Sequence, residues 1–422
     1  MAEDVKVPEG WRRVRLGEIS EIVKGITYKS SDYCESEEGA TFINLKCILK
    51  KGGFNKDGLK YFKGLIRESQ ILRKGDIIIA IVDLTRDGDI IGYPLRVPDF
   101  GSNKVVTMSM DVVKIEPDAQ IDKAFLYYRL CLNDIHSYIL SISAGSTVLH
   151  LDLNWLPQLE FSVPLSLPEQ HKIAEILETV DNAIEKTDAI IEKYKRIKQG
   201  LMQDLLTRGI AESDELGVMS YELRDEKKHR FKDSLLGRIP EEWEVVELGC
   251  VGDIIYGEGL RQELYEPDGD TLVFGTGGII GRAKLFLDRG PALVIPRKGS
   301  ITSVFYIQED QKFWIIDTAF YLKPQNGYCK FIYFTLCNMD LELLNEATGV
   351  PSLSRENIKS IQIPLLPLPE QHRIASILSQ IDEAIEKEQK YKEKLERIKR
   401  GLMEDLLTGK VRVNHLIEEV EA

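Results

Sequence analysis

The sequence predicts an α+β protein with two mixed α/β domains that contain antiparallel-rich sheets. Two long antiparallel coiled-coil helices are expected to join them in a pseudo-twofold dumbbell. The main observation is an internal repeat: residues 167–207 return as residues 368–408 at a constant offset of 201, with 26 of 41 aligned positions identical. Because the match has no gap, each copy should be one continuous element. A second match, between residues 7–25 and 239–257, extends the duplication to the segments that precede the helices.

Each copy of the repeat is predicted to form one helix of about 39 residues, roughly 58 Å long at 1.5 Å per residue. Apolar residues recur every three or four positions, and a Pro-Glu pair near the start of each copy suits a first helical turn. Gly209 and Gly409 follow as stop signals. Because neither helix can bury its apolar face alone, we expect the second to fold back along the first.

The segments before the two helices are predicted to be mainly antiparallel sheets with one clear helix each. The predicted helices cover residues 121–134 and 328–339, and short apolar runs between turn residues predict the strands. The predicted strands are residues 41–49, 75–84, 105–115, 271–275, 292–296, 301–307 and 318–324. The glycine-rich residues 274–281 lack the third glycine and the helix of a dinucleotide-binding loop, which favours a tight turn between strands.

These elements predict a domain order along the chain. The charged stretch 210–238 is poor in large apolar residues and is interpreted as a partly packed linker. The predicted segments are a first domain at 1–166, a first spacer helix at 167–209, the linker at 210–238, a second domain at 239–367, a second spacer helix at 368–409, and a tail at 410–422 that packs near the first domain.

Composition indicates a soluble globular protein, with 43% hydrophobic and 29% charged residues in a chain of 422. The N-terminus resembles no signal peptide and no apolar run approaches 18 residues, so a cytoplasmic location is expected. Six cysteines are scattered without a C-x-x-C pair or a histidine cluster. We therefore expect small buried side chains rather than disulfides or zinc ligands.

No catalytic or metal-binding constellation is evident in the sequence. Phosphate-binding loops, H-E-x-x-H and G-x-S-x-G motifs are absent. His171 and His372 open the two repeated helices, where capping or a contact between helices is a better explanation than catalysis. We expect neither catalytic nor metal-binding residues in this chain.

Recognition of nucleic acid is the remaining interpretation. The net charge is −13, but residues 46–74 carry nine Lys or Arg against two acidic residues, and residues 282–298 carry five against one. Loop residues near these runs could bond bases or phosphates. The candidates are Lys24, Tyr28, Lys29, Arg86, Ser146, Thr147 and His150 in the first domain, and Arg261, Arg282, Arg297, Lys298, Ser352 and Arg355 in the second.

Several stretches together resemble one family across nearly the whole chain. They are IPEEWEVVELG, GTGGIIG, VIPRKGSI, FWIIDTAFYL, TGVPSLSRENI, IPLLPLPEQ and the helix EQHRIASILSQIDEAIEK with LERIKRGLMEDLLTG. They are similar to the DNA-specificity subunit of type I restriction–modification systems. The helical motif, present twice at this spacing, is the most specific part of the resemblance.

The resemblance implies a non-catalytic subunit whose two target-recognition domains each read one half of a bipartite, asymmetric site in double-stranded DNA. The helices would set the spacer and dock two methyltransferase subunits. S-adenosylmethionine, ATP and Mg²⁺ would be used by these and by restriction/translocase subunits, with no cofactor in this chain. The acidity of this chain departs from what tight DNA binding by the isolated subunit requires.

Two other classes of protein remain open from the sequence. A coiled-coil adaptor that binds only proteins would explain the helices but not two differing domains with basic loops. The recognition part of a self-contained methyltransferase or nuclease is a further alternative, against which the missing cofactor motifs count.

Overall fold

The computed structural model describes residues 7–35, 38–85, 87–215, 218–325 and 327–417, without the side chains of residues 213–219. The chain divides into two compact units. Unit 1 comprises residues 1–187 and 391–422, and unit 2 comprises residues 188–390. The division falls within the two repeated segments rather than at their ends.

The two repeated segments are the long helices that the sequence predicts. The first long helix is Leu167–Leu205 and the second long helix is Leu368–Leu407. The helices stop before Gly209 and Gly409, whose φ angles are +63° and +72°. This left-handed conformation is the one that a glycine after a helix end adopts without strain.

Unit 1 contains mainly antiparallel sheets with short helices. The shorter helices are Leu16–Ile19, Lys123–Leu130 and Asn133–Ser141. The strands are Trp11–Arg15, Ser20–Lys24, Tyr33–Cys34, Ala40–Ile43, Lys60–Phe62, Ile77–Ala80, Val82–Asp83, Pro94–Arg96, Val106–Met108, Val112–Pro117, Ser143–Ala144, Leu149–Leu151 and Glu160–Pro164. The principal sheet has the order Ser20–Lys24, Val112–Pro117, Ile77–Ala80, Pro94–Arg96, and every pair in it is antiparallel.

Unit 2 repeats this arrangement. Its shorter helices are Leu248–Val251, Cys329–Cys337 and Arg355–Lys359. Its strands are Ile210–Glu215, Val218–Leu223, Phe231–Ser234, Gly237–Pro240, Glu244–Glu247, Gly252–Tyr256, Thr271–Gly275, Gly278–Ala283, Asp288–Arg289, Ala292–Pro296, Phe305–Ile307, Lys312–Ile315, Ala319–Pro324 and Gln362–Leu365. The principal sheet has the order Gly252–Tyr256, Ala319–Pro324, Ala292–Pro296, Phe305–Ile307, again with antiparallel pairs.

The fold class predicted from the sequence is therefore confirmed in its two mixed domains, antiparallel-rich sheets and paired long helices. Parallel pairing is found among the described strands as well, between Ala40–Ile43 and Val106–Met108 in unit 1 and between Thr271–Gly275 and Lys312–Ile315 in unit 2. The dumbbell arrangement stays a prediction.

Some predicted elements are shorter than expected. Residues 41–49 were predicted to form one strand, but the strand ends at Ile43 and a 3-10 turn follows because the Asn44 side chain accepts a hydrogen bond from the Lys46 N–H. The helix predicted at 121–134 is two helices, since the extended backbone of Leu132 starts a new one. The glycine-rich residues 274–281 do form a tight turn between strands.

Two hairpins occupy the stretch interpreted as a partly packed linker. Ile210–Glu215 pairs with Val218–Leu223, and Phe231–Ser234 pairs with Gly237–Pro240. The tail packs against unit 1 through Val413, which is buried in its core. Residues 418–422 of the predicted tail lie outside the described residues.

The expectation of six small buried cysteines was only partly right. All six are free, and Cys47 and Cys329 are buried, but Cys250 and Cys337 are exposed. Both exposed cysteines lie in helices where neighbouring side chains are buried instead, Leu248 and Val251 beside Cys250 and Phe334 and Leu336 beside Cys337.

In each unit an ion pair joins the two long helices, and the two ion pairs are equivalent in the repeat. In unit 1 the Lys399 ammonium lies 2.6 Å from the Asp181 carboxylate, and in unit 2 Lys198 lies 2.6 Å from Asp382. The repeat offset of 201 relates both the lysines and the aspartates. A residue early in one helix thus meets a residue late in the other, which is the predicted antiparallel packing.

The Pro-Glu-Gln motif that opens each long helix fastens it to its domain. In unit 2 the buried Glu370 carboxylate accepts hydrogen bonds from Arg224, from the Trp243 indole at 3.2 Å and from the Ile210 N–H at 2.9 Å. The glutamine that follows, Gln371, accepts a hydrogen bond from the Tyr328 N–H at 2.7 Å.

In unit 1 the tail supplies the partner of the corresponding carboxylate. The Arg412 guanidinium donates to both oxygens of buried Glu169, at 2.6 and 2.9 Å. Gln170 accepts a hydrogen bond from the Asp122 N–H at 2.9 Å. The two units thus share a buried carboxylate–arginine pair, although the arginines come from unrelated stretches of sequence.

The histidines of the motif contact the same region. His171 Nδ1 lies 3.2 Å from the Asp122 carboxylate, and the His372 ring stacks on Tyr328 at 3.9 Å. Both contacts link the start of a long helix to the start of a domain helix, as the interpretation of a contact between helices requires.

We predict that Arg224→Ala lowers the free energy of unfolding by about 3–5 kcal/mol, because it leaves the buried Glu370 carboxylate without its cation. Arg230→Ala is the control: Arg230 is exposed and lies 3.9 Å from Glu241, so its loss should cost at most about 1 kcal/mol. Urea unfolding measures both. Equal effects would contradict a structural role for the buried pair.

Candidate nucleic-acid interface

The candidate residues of unit 1 gather at one edge of its principal sheet. Strands Ser20–Lys24 and Ile77–Ala80 are both antiparallel to Val112–Pro117, so their carboxyl ends lie at the same edge. Val113 pairs with both Lys24 and Ile79. The two strands are therefore about 10 Å apart there, two interstrand spacings.

The hairpin with the other candidates of unit 1 joins the same edge. Ser146 and Thr147 are exposed at its turn, and the exposed His150 pairs with Val82, which follows the second of the two strands. Lys24 and Lys29 are also exposed. These polar and basic groups can contact phosphates and bases.

Tyr28 has a largely structural environment. It packs edge-on against Phe42 and Tyr33, with ring centroids 5.2 and 5.1 Å away. The Lys60 ammonium lies 4.2 Å from the centroid of the Tyr33 ring. Tyr28 therefore helps to support the loop that bears Lys29, and Arg86 lies outside the described residues.

A buried aspartate shapes the loop beside the His150 hairpin. The Asp83 carboxylate is fully buried and accepts hydrogen bonds from the Ile90 and Ile91 N–H groups at 2.7 and 2.9 Å, and from the N–H and hydroxyl of Thr85 at 2.7 Å. Burial alone would raise the pKa of Asp83, but these hydrogen bonds hold the pKa below its usual value. The charged carboxylate thus holds Thr85, Ile90 and Ile91 in place.

In unit 2 four of the six candidates come together. Lys298 pairs with Ser352 in an isolated bridge, and the Leu353 N–H donates to the Arg297 carbonyl at 2.9 Å. The guanidinium carbons of Arg297 and Arg355 lie 5.2 and 5.6 Å from the centre of one ring, that of Tyr256.

This cluster occupies the sheet edge that corresponds to the one in unit 1. Strands Gly252–Tyr256 and Ala292–Pro296 are both antiparallel to Ala319–Pro324 and end at the same edge. Phe320 pairs with both Tyr256 and Ile295. One scaffold therefore presents different side chains in the two units.

The other two candidates of unit 2 lie elsewhere. Arg261 is exposed further along the loop after Tyr256. Arg282 pairs with Leu272 at the end of a hairpin remote from its turn, and its guanidinium donates to the Gly269 carbonyl at 3.1 Å. The structure does not bring Arg282 together with the cluster.

Sequence reasoning missed Tyr256, although a signal for it was available. The shared motifs at 7–25 and 239–257 align at an offset of 232, so Tyr256 is aligned with Lys24. Asp83 carried no such signal, because its partners are backbone groups that only the folded loop brings to it.

Among the described residues, no group of three or more His, Cys, Asp or Glu side chains could hold a metal ion. None of the described helices is long and apolar enough to cross a membrane.

The comparison with protein families matches residues 8–195 and 240–397 to the type I restriction modification DNA specificity domain. The chain belongs to this family. Both matched segments include the sheet edges described above and most of a long helix. The prediction of a specificity subunit, which is the non-catalytic component of a type I system, is confirmed by this membership.

Curated relatives match along nearly the whole chain. The MjaVIII specificity subunit of Methanocaldococcus jannaschii is 27% identical, covering 98% of this chain and 95% of the relative. The EcoBI specificity subunit of Escherichia coli is 22% identical, covering 89% of this chain and 80% of the relative. Both are described as subunits of a type I restriction enzyme.

Solved structures show that the fold is shared. The S subunit of a type I restriction–modification system from M. genitalium has a TM-score of 0.65 at 18% identity, covering 96% of this chain and 97% of that one. At this identity the structural likeness shows that the two chains share a fold.

We predict that Asp83→Asn destabilises the protein by about 1.5–3 kcal/mol near neutral pH, because a neutral amide is a poorer acceptor for this loop. The lowered pKa of Asp83 makes its contribution complete above the usual aspartate pKa of about 3.9. The difference in unfolding free energy between wild type and variant should therefore shrink as pH falls below that value.

The exposed neighbour Asp87 provides the control. Asp87→Asn should leave stability nearly unchanged, because the exposed side chain loses little contact with the protein. Thermal or urea unfolding at several pH values tests the pair, and a pH-independent difference for Asp83→Asn would refute the electrostatic explanation.

Proposed function

We propose that this chain is the sequence-reading subunit of a type I restriction–modification complex and that each unit reads one half of a bipartite, asymmetric site in double-stranded DNA. The observation that carries the proposal is the pair of equivalent sheet edges with unlike side chains. The edge of unit 1 bears Lys24 and His150, and that of unit 2 bears Tyr256, Arg297 and Arg355. Two unlike surfaces on one scaffold suit two different half-sites.

The long helices are proposed to set the distance between the half-sites. Each is about 58 Å long, which exceeds the ~34 Å helical repeat of DNA, so several base pairs between the half-sites would be unread. The ion pairs Asp181–Lys399 and Lys198–Asp382 support this role, because they fix the helices against sliding.

The catalytic steps are proposed to belong to partner subunits that dock on the helices. Two methyltransferase subunits would use S-adenosylmethionine, and restriction/translocase subunits would use ATP and Mg²⁺. With a net charge of −13, this chain would rely on those partners to neutralise much of the charge of the DNA phosphates. The complex would act in the cytoplasm.

Replacing residues 7–166 with the equivalent segment of another family member should change one half-site and leave the other unchanged. The reason is that each unit has its own sheet edge and its own core. Sequencing of methylated positions in cells with the complete system gives the result. Replacement of residues 239–367 is the matched control and should change the opposite half-site.

A replacement that altered both half-sites would contradict independent reading. Methylation without any sequence preference would instead indicate a coiled-coil adaptor that binds only proteins.

Inserting four residues after Lys186 and four more after Lys387 should lengthen both helices by about 6 Å, or roughly two base pairs of DNA. The paired insertion keeps Asp181 opposite Lys399 and Lys198 opposite Asp382. The unread spacer should therefore grow while both half-sites persist, as methylation mapping would show.

Insertion into the first helix alone is the control. This insertion cannot preserve both ion pairs, so it should lower the stability of the protein. It should not produce a single, longer unread segment between the two half-sites. Altered half-sites combined with the original spacer would refute the proposed role of the helices.

A further inference from the structure

From the arrangement around Tyr256 we infer that unit 2 reads guanine, with Arg297 and Arg355 as the reading side chains and Tyr256 as the residue that positions them. The inference rests on the proposed function, since it assumes that the sheet edge of unit 2 faces DNA. Beyond the proposed function, the inference names the base that unit 2 reads and the residue that positions the two arginines.

The Tyr256 ring is itself held in place by a buried aromatic neighbour. It packs on Phe320, which is completely buried, with ring centroids 4.9 Å apart. The tyrosine is nevertheless 46% exposed. A large ring that is anchored on the core yet remains open to solvent is a suitable platform for planar groups above it.

Two arginines from separate loops use this platform. Arg297 directly follows the strand Ala292–Pro296, and Arg355 begins the short helix Arg355–Lys359. Their guanidinium carbons lie within 5.6 Å of the ring centre, a separation typical of cation–π contact. The loops are tied together, because the Leu353 N–H donates to the Arg297 carbonyl at 2.9 Å.

The Arg297 side chain is aimed by one further bond. Its Nη1 donates to the Asp317 carbonyl at 2.7 Å, which leaves Nε and Nη2 as the adjacent pair of donors that can meet a base edge. Arg355 forms a looser polar contact, with 3.8 Å between its Nε and the Glu356 carboxylate. Arg297 is thus the more rigidly positioned of the two.

Guanine is the base that suits such a group. In the major groove guanine presents two acceptors, N7 and O6, at a spacing that a planar guanidinium can bond simultaneously. A ring beneath the guanidinium restricts its plane and so reduces the conformational freedom lost on binding. A phosphate contact needs no such restriction, because a phosphate accepts hydrogen bonds from many directions.

Unit 1 has no tyrosine at the corresponding position, where Lys24 ends the strand. A lysine ammonium is a mobile point charge, and it cannot support a second cation on its surface. The two units should therefore differ in how strictly they discriminate a base at this edge, and the tyrosine–arginine cluster is specific to unit 2.

The test uses the complete complex with its methyltransferase subunits and four variants of this chain. Tyr256→Leu removes the ring, Tyr256→Phe keeps it, and Arg297→Lys keeps the charge without the planar fork. Phe286→Leu is the matched control, because Arg289 lies 5.3 Å from the Phe286 ring in the same unit but outside the cluster.

Two quantities are measured for each variant: the methylated sequence, and the ratio of affinities for the site and for the site with one G·C pair replaced. In wild type the half-site of unit 2, assigned by segment replacement, should contain guanine, and its replacement should weaken binding about 10- to 100-fold. Tyr256→Leu and Arg297→Lys should reduce this ratio several-fold with little change in affinity for unrelated DNA. Tyr256→Phe and Phe286→Leu should retain it.

A half-site of unit 2 without any G·C pair would overturn the inference while leaving the proposed function intact. So would an unchanged ratio in Arg297→Lys, which would mean that the arginine contacts phosphate. If Tyr256→Phe lost the discrimination between the site and the site with one G·C pair replaced, the hydroxyl of Tyr256, and not its ring, would be the positioning group. Absence of sequence-specific methylation in wild type would instead refute the proposed function.

Discussion

The buried carboxylate in the first turn of each long helix is the interaction on which the structure depends. Glu169 and Glu370 each bind an arginine in the interior of a unit, and the glutamine after each one bonds to the start of a domain helix. A buried carboxylate without a cation is costly, so each helix can begin in only one way relative to its domain. The repeated Pro-Glu-Gln motif thereby joins the differing sheet edges of the two units to two helices of similar sequence.

In the two units, the arginine that pairs with the buried carboxylate comes from different parts of the chain. Arg224 lies just after the first hairpin that follows the first long helix, whereas Arg412 lies in the tail that follows the second. In each unit the arginine comes from the segment after a long helix and pairs with the glutamate that starts the other long helix. The hairpins and the tail are thus equivalent in role, even though their sequences and lengths differ.

The sheet edge explains how one scaffold serves two different surfaces. In both units the central strand pairs with two strands whose carboxyl ends lie side by side, and the loop before the long helix returns to that edge. Backbone pairing holds this geometry, so the side chains at the edge can differ without cost to the fold. Lys24 and Tyr256 occupy equivalent places with very different chemistry.

The sequence by itself determined the duplication, the starts of both long helices and the family, because an ungapped 41-residue repeat and a 3.6-residue period are local signals. It also predicted candidate DNA-contacting residues, since glycine, hydroxyl and basic residues mark loops, and these stay a prediction. Only the tertiary structure decided which of them meet: Arg297 and Arg355 are 58 positions apart in the sequence and share one tyrosine ring. It likewise decided the partners of Glu370 and Asp83, because pairing between distant residues, and between a side chain and the backbone, leaves no period or motif in the sequence.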